Sequence, residues 1–385
     1  MKVLFVTTCY PSRDLPQYCV FLEQQAQALE RSGCKTDVLV LCEGKEDVFE
    51  KEVYNGVNIT RMGILANTKK DILLPTKLSK SDEEKIGKII GNDYNVVSLH
   101  FGGLKITRSV LKICKQKNIK LVLHFHGLNV WYEFFEKRKW LYNYFRLQKK
   151  QLYSNIDAMV GVSNKVTNRF SEKIKNIPAY TVYNGVNLDL FKFKDRDFSK
   201  SKKLKVLVVA NLIELKGHDY LIKAVSKAKQ KGIDAELTVA GRGPLEAELK
   251  ELAKRLNISE SVKFTGYIEY EKIADLMQEN DVFIMPSYYE ALGCVYLEAM
   301  SSGMITVGVW GQGIDEVIKD GENGFLVEAK SIDAIVNTLE KIYEKSSDQL
   351  KTMSAKANET ALEYNWDKSA QMLSSVYQKL EESNG

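Results

Sequence analysis

Two glutamates stand eight positions apart in the segment SYYEALGCVYLEAMSSGM, at Glu290 and Glu298. A carboxylate accepts paired hydrogen bonds from vicinal hydroxyl groups, such as those of a sugar or a ribose. Gly293 lies between the two glutamates and has no side chain to obstruct a ligand. The residues after Gly293 are typical of a helix, whose unpaired N–H groups and positive dipole end favour phosphate. The segment therefore predicts a site for a nucleotide sugar, with one glutamate at each sugar ring and the phosphates between them.

The elements that would position this segment are short apolar strands separated by amphipathic helices. Such runs start at Lys2, Thr36, Asn95, Lys120 and Ala158, and the series begins again at Lys205, Ala235, Val262, Asp281 and Met304. Strand and helix in alternation predict parallel sheets flanked by helices. The restart predicts two doubly wound α/β domains, with a boundary in the polar segment from Asn187 to Lys203. In such sheets ligands bind at the carboxyl ends of the strands, which we expect to face each other across a cleft.

Composition and charge narrow the class of protein. The chain has 385 residues, of which 44% are hydrophobic and 27% charged, as in soluble two-domain proteins, and no apolar run predicts a transmembrane helix or signal peptide. Its six cysteines have no metal-binding or disulfide spacing, which favours a reduced, cytoplasmic setting. No GxGxxG follows the first strand and no GxxxxGK[ST] occurs, so a nicotinamide oxidoreductase and a P-loop NTPase are disfavoured.

The net charge of +5 is distributed unevenly along the chain. Residues 1–180 hold 29 Lys and Arg against 18 Asp and Glu, a net charge of +11, whereas the remainder holds 26 against 32, a net charge of −6. Part of the excess lies in residues 131–153, which contain six basic and nine aromatic side chains. This stretch predicts either an amphipathic helix with solvated cations or an interfacial helix on anionic lipid at the inner face of the cell membrane. No nucleic-acid-binding motif accompanies the charge.

The chain resembles the retaining glycosyltransferases of family four, the group 1 glycosyltransferases, over nearly its whole length. The motifs that carry the resemblance are HFHGLNV, AMVGVSNKV, VYNGVNLDLF, VVANLIELKGHDYLI, VAGRGPLEAEL, VKFTGYI, the glutamate pair, GQGIDEVIKDGENGFLV and the last helix from Trp366. The resemblance implies the GT-B fold of two Rossmann-like domains. Residues 1–187 would form the acceptor-side domain and 188–365 the nucleotide-sugar-binding domain, while a helix over about 366–385 would cross back to the first domain.

The activity that the resemblance implies is transfer of a hexose-type sugar from a nucleoside diphosphate sugar, with UDP favoured over GDP. The acceptor would be a hydroxyl group of a glycan or lipid-linked glycan in surface polysaccharide or glycoconjugate synthesis, and the configuration would be retained. Neither a metal nor another cofactor is expected, because Lys216 and the helix N-terminus would offset the charge of the leaving diphosphate. A nucleotide-sugar epimerase of the same fold and a nonenzymatic nucleotide-sugar-binding protein are the alternatives.

The resemblance also implies the roles of individual residues. Glu290, Lys216 and His126 would be catalytic, with Glu290 at the transferred sugar. The residues expected to bind the donor are Asn211, Lys216, Arg242, Tyr267, Glu290, Ala291, Leu292, Gly293, Cys294, Val295 and Glu298, and those expected on the acceptor side are Cys19, His126 and Asn129. No residue is expected to bind a metal ion.

The chain departs from the family pattern at the diphosphate site. Asn211 stands where the family usually has an arginine, five residues before the diphosphate lysine. An amide can donate a hydrogen bond to phosphate but cannot neutralise it. Arg242 is a candidate for the missing cation, and the alternative is that Arg242 is a solvated loop charge.

Two further departures lie in the N-terminal half. The segment Pro16 to Cys19 replaces the glycine that relatives carry before a Val-Phe pair, so the acceptor cannot be inferred from them. His124 precedes His126 by two residues on the same predicted strand, so both side chains would point to one face. The alternation does not show which of the two contacts a substrate.

Overall fold

The computed structural model of the chain describes residues 1–16, 18–65, 77–127, 147, 150–199 and 203–382. The chain divides into two compact units. The N-terminal unit comprises Met1–Asn184 and Trp366–Gly385, and the C-terminal unit comprises Gly185–Asn365. The division after Asn184 lies just before the polar segment in which the sequence placed the boundary.

The N-terminal unit is built on an eight-stranded sheet with the order β3-β4-β2-β1-β5-β6-β7-β8. The strands are β1 (Lys2–Thr7), β2 (Lys35–Glu43), β3 (Phe49–Tyr54), β4 (Val57–Ile64), β5 (Val96–His100), β6 (Lys120–Phe125), β7 (Ala158–Gly161) and β8 (Ala179–Thr181). Neighbouring strands are parallel, as predicted, except that β3 pairs antiparallel with β4 in a hairpin. The strand order reverses between β1 and β5, so the carboxyl ends of these strands form a place for a ligand.

Four helices of this unit connect its strands within the described residues. They are α1 (Val20–Arg31), α2 (Lys80–Ile90), α3 (Gly103–Lys117) and α4 (Asn164–Ser171). Helix α1 has the predicted apolar stripe, and its buried positions include Leu22, Ala26 and Leu29. This stripe packs in the core of the unit with β1 side chains such as Phe5, which is fully buried.

The C-terminal unit is built on six parallel strands with the order β11-β10-β9-β12-β13-β14. The strands are β9 (Leu204–Val209), β10 (Ala235–Ala240), β11 (Val262–Gly266), β12 (Val282–Ile284), β13 (Ile305–Val309) and β14 (Phe325–Val327). The helices are α5 (His218–Gln230), α6 (Glu246–Arg255), α7 (Tyr270–Glu279), α8 (Cys294–Ser301), α9 (Ile332–Glu344) and α10 (Ser347–Glu363). The order reverses between β9 and β12, so the loops that follow these two strands meet.

The last helix, α11 (Trp366–Glu382), belongs to the N-terminal unit, which confirms the predicted return of the chain. Its apolar residues recur at helical spacing, and the buried ones include Trp366, Leu373 and Tyr377. These side chains form part of one core with α1 and the sheet. Arg31 of α1 also donates to Asp367 at 2.7 Å.

The segment after Asn187, expected as a polar boundary, is partly buried in the C-terminal unit. Phe191 is fully buried, and Arg196 is 3% exposed. The Arg196 Nε donates to the Asn280 carbonyl at 2.8 Å, and the guanidinium also donates to carbonyls of Lys194, Met277 and Ser302. Burial lowers the pKa of Arg196 to about 10, so the side chain is still charged at neutral pH. This segment is thus an anchored part of the unit.

None of the helices in the described part of the chain combines the length and the apolar character that a bilayer crossing requires. Most of the basic and aromatic stretch 131–153 lies outside the described residues, as does Asn129.

Candidate active site

Lys216 and Glu290 form an ion pair in the C-terminal unit, at the carboxyl ends of β9 and β12. Lys216 ends a short 3-10 helix in the loop after β9, and Glu290 lies in the loop after β12. The strand order brings these loops together, because β9 and β12 are neighbours. The lysine is 20% exposed and the glutamate 14% exposed in their side chains, so a ligand can reach both groups. Here the structure brings together two residues predicted to act on a nucleotide sugar.

Backbone contacts hold the two loops against each other. Gly217 has φ 69°, and a Cβ atom at this position would lie 2.5 Å from the Pro286 carbonyl oxygen. Only glycine therefore permits this approach without a backbone shift. Ser287 donates from its hydroxyl, and Tyr288 from its N–H, to the Leu215 carbonyl, both at 3.1 Å. These contacts fix the position of Lys216 relative to the β12 loop.

Glu290 is oriented by the loop that follows β13. Its N–H donates to Gln312 Oε1 at 2.9 Å, and the Gly313 N–H donates to its carbonyl at 3.1 Å. A Cβ atom on Gly313 would lie 1.6 Å from the Ala291 carbonyl oxygen, so the two chain segments are in direct contact. The Glu290 backbone is thus held from one side while its carboxylate remains free to contact Lys216 and a ligand.

Helix α8 begins directly after Gly293, as predicted, and Gly293 has φ 81°. The donor-binding residues predicted along this segment occupy the end of the β12 loop and the first turn of the helix. Ala291 and Leu292 are buried, whereas Gly293, Cys294 and Val295 are partly exposed. The first N–H groups of a helix have no partner within the helix, so this end of α8 can receive an anion.

Glu298 lies in α8, more than one turn after Gly293, and is 6% exposed. The Tyr270 hydroxyl of α7 donates to Glu298 Oε1 at 3.0 Å. Burial raises the pKa of Glu298 to about 7, which the hydrogen bond from Tyr270 offsets only in part. A buried carboxylate is costly, so this arrangement suits a site where ligand hydroxyls complete its hydrogen bonds.

The raised pKa predicts a pH-dependent stability cost at Glu298. An unfolded glutamate has a pKa of about 4.3, so between pH ~4.3 and ~7 the folded state holds a proton that the unfolded state has lost. Stability due to this group therefore falls as the pH rises through that window. We expect Glu298→Gln, which is never charged, to match the wild type near pH 4.5 and to exceed its free energy of unfolding at pH 8 by on the order of 3 kcal/mol.

Denaturant unfolding at both pH values measures this difference. Glu251→Gln is the matched control, because Glu251 is exposed on α6 of the same unit. Equal stability of Glu298→Gln and the wild type at pH 8 would contradict the prediction.

Asn211, Arg242 and Tyr267 lie in loops that follow β9, β10 and β11. Asn211 and Arg242 are exposed, and the guanidinium of Arg242 lies 5.1 Å from the centroid of the Tyr267 ring. The Leu212 N–H donates to the Arg242 carbonyl at 3.0 Å, so the loops after β9 and β10 adjoin. Arg242 therefore lies over the Tyr267 ring in a loop that adjoins that of Asn211, and its compensation for the missing arginine stays a prediction.

In the N-terminal unit, His124 and His126 differ in how far they are exposed to solvent. His124 is 6% exposed within β6, and His126 is partly exposed just beyond the strand end. The His126 ring stacks on Phe101, with ring centroids 4.9 Å apart. Phe101 has φ 56°, a left-handed conformation that is strained for a bulky residue, and strained residues are enriched at functional sites. The structure thus favours His126 as the histidine that contacts a ligand.

Cys19 lies immediately before α1 and has φ 59°. This left-handed conformation is the one that glycine adopts at no cost, which fits the glycine that the family resemblance implies here. The thiols of Cys9 and Cys19 share a hydrogen bond. This bond lowers the pKa of the Cys9 thiol and raises the pKa of the Cys19 thiol. All six cysteines are free thiols.

Comparison with known proteins decides the family. Residues 20–190 match the family described as Glycosyltransferase Family 4, and residues 191–360 match the family described as Glycosyl transferases group 1. The chain belongs to the group 1 glycosyltransferases. The resemblance seen in the sequence motifs is thereby confirmed, while retention of configuration stays a prediction.

The similarity to relatives of this glycosyltransferase covers most of the chain. An N-acetyl-alpha-D-glucosaminyl L-malate synthase of Bacillus anthracis is 24% identical over 375 residues, covering 94% of this chain and 93% of the relative. A putative colanic acid biosynthesis glycosyltransferase of Salmonella typhimurium is 23% identical over 294 residues, covering 74% and 71%. The solved structure of the Anabaena protein HepE, in complex with UDP, is similar with a TM-score of 0.76 and 18% identity, covering 98% of this chain and all of that one. This likeness confirms the GT-B fold.

Several residues that contact the predicted site residues within each unit were missed in the sequence. Gln312 lies within the GQG motif, but nothing in that motif indicates that its side chain would accept from Glu290. Tyr270 and His100 were likewise not singled out. His100 ends a predicted strand, as His126 does, and that shared position is a signal that could have linked them.

Proposed function

We propose that this group 1 glycosyltransferase moves a hexose from a UDP-sugar to a hydroxyl acceptor, with retention of configuration and without a bound metal. The observation that carries the proposal is the Lys216–Glu290 ion pair beside the N-terminus of α8, with the buried Glu298 within the same helix. In the absence of donor the lysine and the glutamate compensate each other. A diphosphate gives Lys216 a second anionic partner at the helix N-terminus.

Each residue has a distinct role in the proposed reaction. Glu298 accepts hydrogen bonds from the ribose hydroxyls, and Glu290 accepts from the hydroxyls of the transferred sugar. Lys216 stabilises the charge that develops on the departing diphosphate, which is the main catalytic effect when no protein nucleophile takes part. The departing phosphate then helps to deprotonate the acceptor hydroxyl on the same face of the sugar.

The choice of donor and acceptor is supported by named relatives. HepE of Anabaena, which shares the fold, was solved with UDP. The Salmonella relative is named for colanic acid biosynthesis, which supports a glycan or lipid-linked glycan of a surface polysaccharide as the acceptor here. The Bacillus anthracis relative is named for a malate product, so a soluble acceptor is the competing class.

A donor panel without added acceptor tests the proposal. We expect slow hydrolysis of one UDP-sugar, unchanged by a chelator, and no comparable hydrolysis of GDP-mannose. With an acceptor, NMR of the product should show the anomeric configuration of the donor. An epimerised donor would identify an epimerase instead, and tight donor binding without turnover of any donor, with or without acceptor, would identify a binding protein.

The Glu298→Gln variant, which we expect to gain stability at pH 8, should nevertheless have a lower affinity for the donor. Loss of charge-assisted hydrogen bonds to the ribose should cost about 1.5–3 kcal/mol, a ten- to hundredfold loss of affinity. Calorimetric titration with UDP measures it, since UDP contains the ribose but no transferred sugar. Unchanged affinity would show that Glu298 does not bind the ribose.

We also propose that the N-terminal half works at the cytoplasmic face of the cell membrane, through the basic and aromatic residues 131–153. Each Lys or Arg near an anionic surface contributes about 1 kcal/mol, and a Debye length of ~3 Å at 1 M salt removes most of that attraction. We expect flotation with anionic liposomes at low salt and its loss at high salt. Equal behaviour on neutral and anionic vesicles would favour a solvated stretch and a soluble acceptor.

A further inference from the structure

Two of the six cysteines, Cys9 and Cys19, form a thiol pair in the N-terminal unit. Cys9 lies just after the end of β1 and is 5% exposed, within the hydrophobic core. Cys19 lies directly before α1, is partly exposed and packs against the same core. Their thiols share a hydrogen bond. The two ends of the segment between β1 and α1 thus meet through sulfur atoms, one of which belongs to a partly exposed residue.

The backbone fixes the position of both cysteines. The Cys9 N–H donates to Thr7 Oγ1 at 3.1 Å, and Thr7 Oγ1 donates to the Cys9 carbonyl at 2.9 Å. Cys19 has φ 59°, and its carbonyl accepts from the Leu22 N–H at 2.9 Å in the first turn of α1. Glycine adopts this conformation without strain, so a side chain at this position has a cost that its contacts must offset. For Cys19, the thiol of Cys9 is such a contact.

The shared hydrogen bond makes Cys9 the more acidic thiol of the pair. Burial raises the pKa of the Cys114 thiol to about 12 and also raises the pKa of the Cys42 thiol. Cys9 is buried as well, but its pKa is lowered, because the Cys19 S–H donates a hydrogen bond to the Cys9 thiolate. Thiolates, not thiols, react with oxidants. Oxidation of the pair should therefore begin at Cys9.

A purely structural role is the competing explanation of the pair. Buried free cysteines commonly act as small apolar side chains. Cys34 fits that role, because it is buried in the same core and its thiol lies 3.2 Å from the Ser374 hydroxyl, which cannot form a disulfide. In the thiol pair, by contrast, both partners are cysteines. The second thiol gives oxidation of the first a reversible end point.

We propose that Cys9 and Cys19 are a modification site, at which hydrogen peroxide reversibly forms a disulfide bond. The Cys9 thiolate attacks one oxygen of the peroxide, the O–O bond breaks, and the departing hydroxide takes up a proton and leaves as water. The Cys19 thiol then attacks the sulfur of the resulting sulfenic acid, loses its proton and displaces a second water molecule. Two thiols are thereby oxidised by two electrons, and one peroxide is reduced to two water molecules.

The disulfide would restrain the segment between β1 and α1. Cys9 is held in the core by Thr7, so the approach to an S–S bond of about 2.05 Å has to come from Cys19 and the start of α1. The exposed apolar side chains of this segment, Leu15 at 46% and Tyr18 at 51%, would be carried by a loop that is closed at both ends. The segment follows β1, where the strand order reverses, so oxidation acts at the edge of the sheet that can receive a ligand.

Mass spectrometry of tryptic peptides tests the proposal directly. Trypsin separates Cys9, in residues 3–13, from Cys19, in residues 14–31. After treatment with one equivalent of hydrogen peroxide, we expect these two peptides to be joined and the free thiols of the denatured protein to fall by two from six. Dithiothreitol should reverse both changes. A sulfinic acid without a joined peptide, a disulfide that involves another cysteine, or six remaining thiols would overturn the proposal.

Two variants show whether the pair itself is responsible. Cys19→Gly removes the second thiol and suits the backbone, since glycine adopts φ 59° without strain. We expect this variant to fold and to form no disulfide. Cys42→Ala is the matched control, because Cys42 is also partly exposed in this unit but has the charges of Arg61, Lys45 and Glu50 nearest its thiol. The control should lose two thiols as the wild type does. A loss of two thiols in Cys19→Gly as well would contradict the assignment.

Hydrogen–deuterium exchange measures the effect on the segment. The amides of residues 10–19 should exchange more slowly in the oxidised wild type than in the reduced protein, and peroxide should not change their exchange in Cys19→Gly. Unchanged exchange in the wild type would refute the restraint. None of these measurements uses a sugar donor. Failure of the proposed transferase activity therefore leaves the thiol pair standing, and absence of the disulfide leaves the proposed activity standing.

Discussion

Replacement of Lys216 by alanine is expected to lower the rate of sugar transfer by about 10²–10³-fold. The reason is that removing one preorganised group that stabilises developing negative charge costs about 2.7–4 kcal/mol. The loss should be toward the upper end, because Asn211 cannot neutralise a phosphate and because removing the lysine leaves its ion-pair partner Glu290 uncompensated. Initial rates with the donor found in the panel measure this effect.

The comparison with Asn211→Arg tests the reason for the loss. An arginine at position 211 should restore part of the rate that Lys216→Ala loses. This rescue should not require Arg242, whose guanidinium lies over the Tyr267 ring. Lys223→Ala is the matched control, since Lys223 forms a partly exposed ion pair with Asp219 on α5. A rate in Lys216→Ala equal to that of the control would show that the lysine does not stabilise the leaving group.

The second large effect is expected on stability, from Arg196→Met. Methionine preserves much of the apolar length but removes the donors for the carbonyls of Lys194, Met277, Asn280 and Ser302. The Ser302 carbonyl keeps a donor in the Lys194 N–H, but the combined loss of the guanidinium hydrogen bonds should lower the free energy of unfolding by about 3–5 kcal/mol. Because Arg196 and all four carbonyls lie in the C-terminal unit, the effect is expected in that unit.

Hydrogen–deuterium exchange with mass spectrometry separates the two units in this test. Peptides that contain Met277 or Ser302 should lose protection, whereas peptides of β1 and α11 should not change. Arg255→Met is the control, because Arg255 is exposed at the end of α6. Unchanged protection around Ser302 would show that the buried guanidinium contributes little.

The sequence predicted the repeating part of the fold well, because a buried parallel strand leaves a continuous apolar run that is visible without its neighbours. The hairpin of β3 and β4 was missed, although Asn55-Gly56 between them is a common hairpin turn. The burial of Arg196 could not be predicted in this way. A polar segment resembles a linker unless the carbonyls that accept from it are known, and three of the four carbonyls that accept from Arg196 lie 81 to 106 residues away along the chain.

At the candidate site, too, some features could be predicted from the sequence and others could not. Glu290, Glu298 and Lys216 were found because their motif spacing is local and the resemblance supplied a register. The pairing of Lys216 with Glu290 needed the β9–β12 adjacency, and the orientation of Glu290 needed the loop of Gln312. The raised pKa of Glu298 depends on its burial, which its place in a short helix does not reveal. Sequence thus supplied the candidate residues, and tertiary structure supplied their environment.

The return of the chain to the N-terminal unit has a consequence for its synthesis. Helix α11 contributes Trp366, Leu373 and Tyr377 to the core of that unit, yet it is translated after the whole of the C-terminal unit. On the ribosome the C-terminal unit can therefore reach its native fold while the earlier unit still exposes part of its core. The half of the chain that is made first therefore receives the last part of its core only after the rest of the chain has been made.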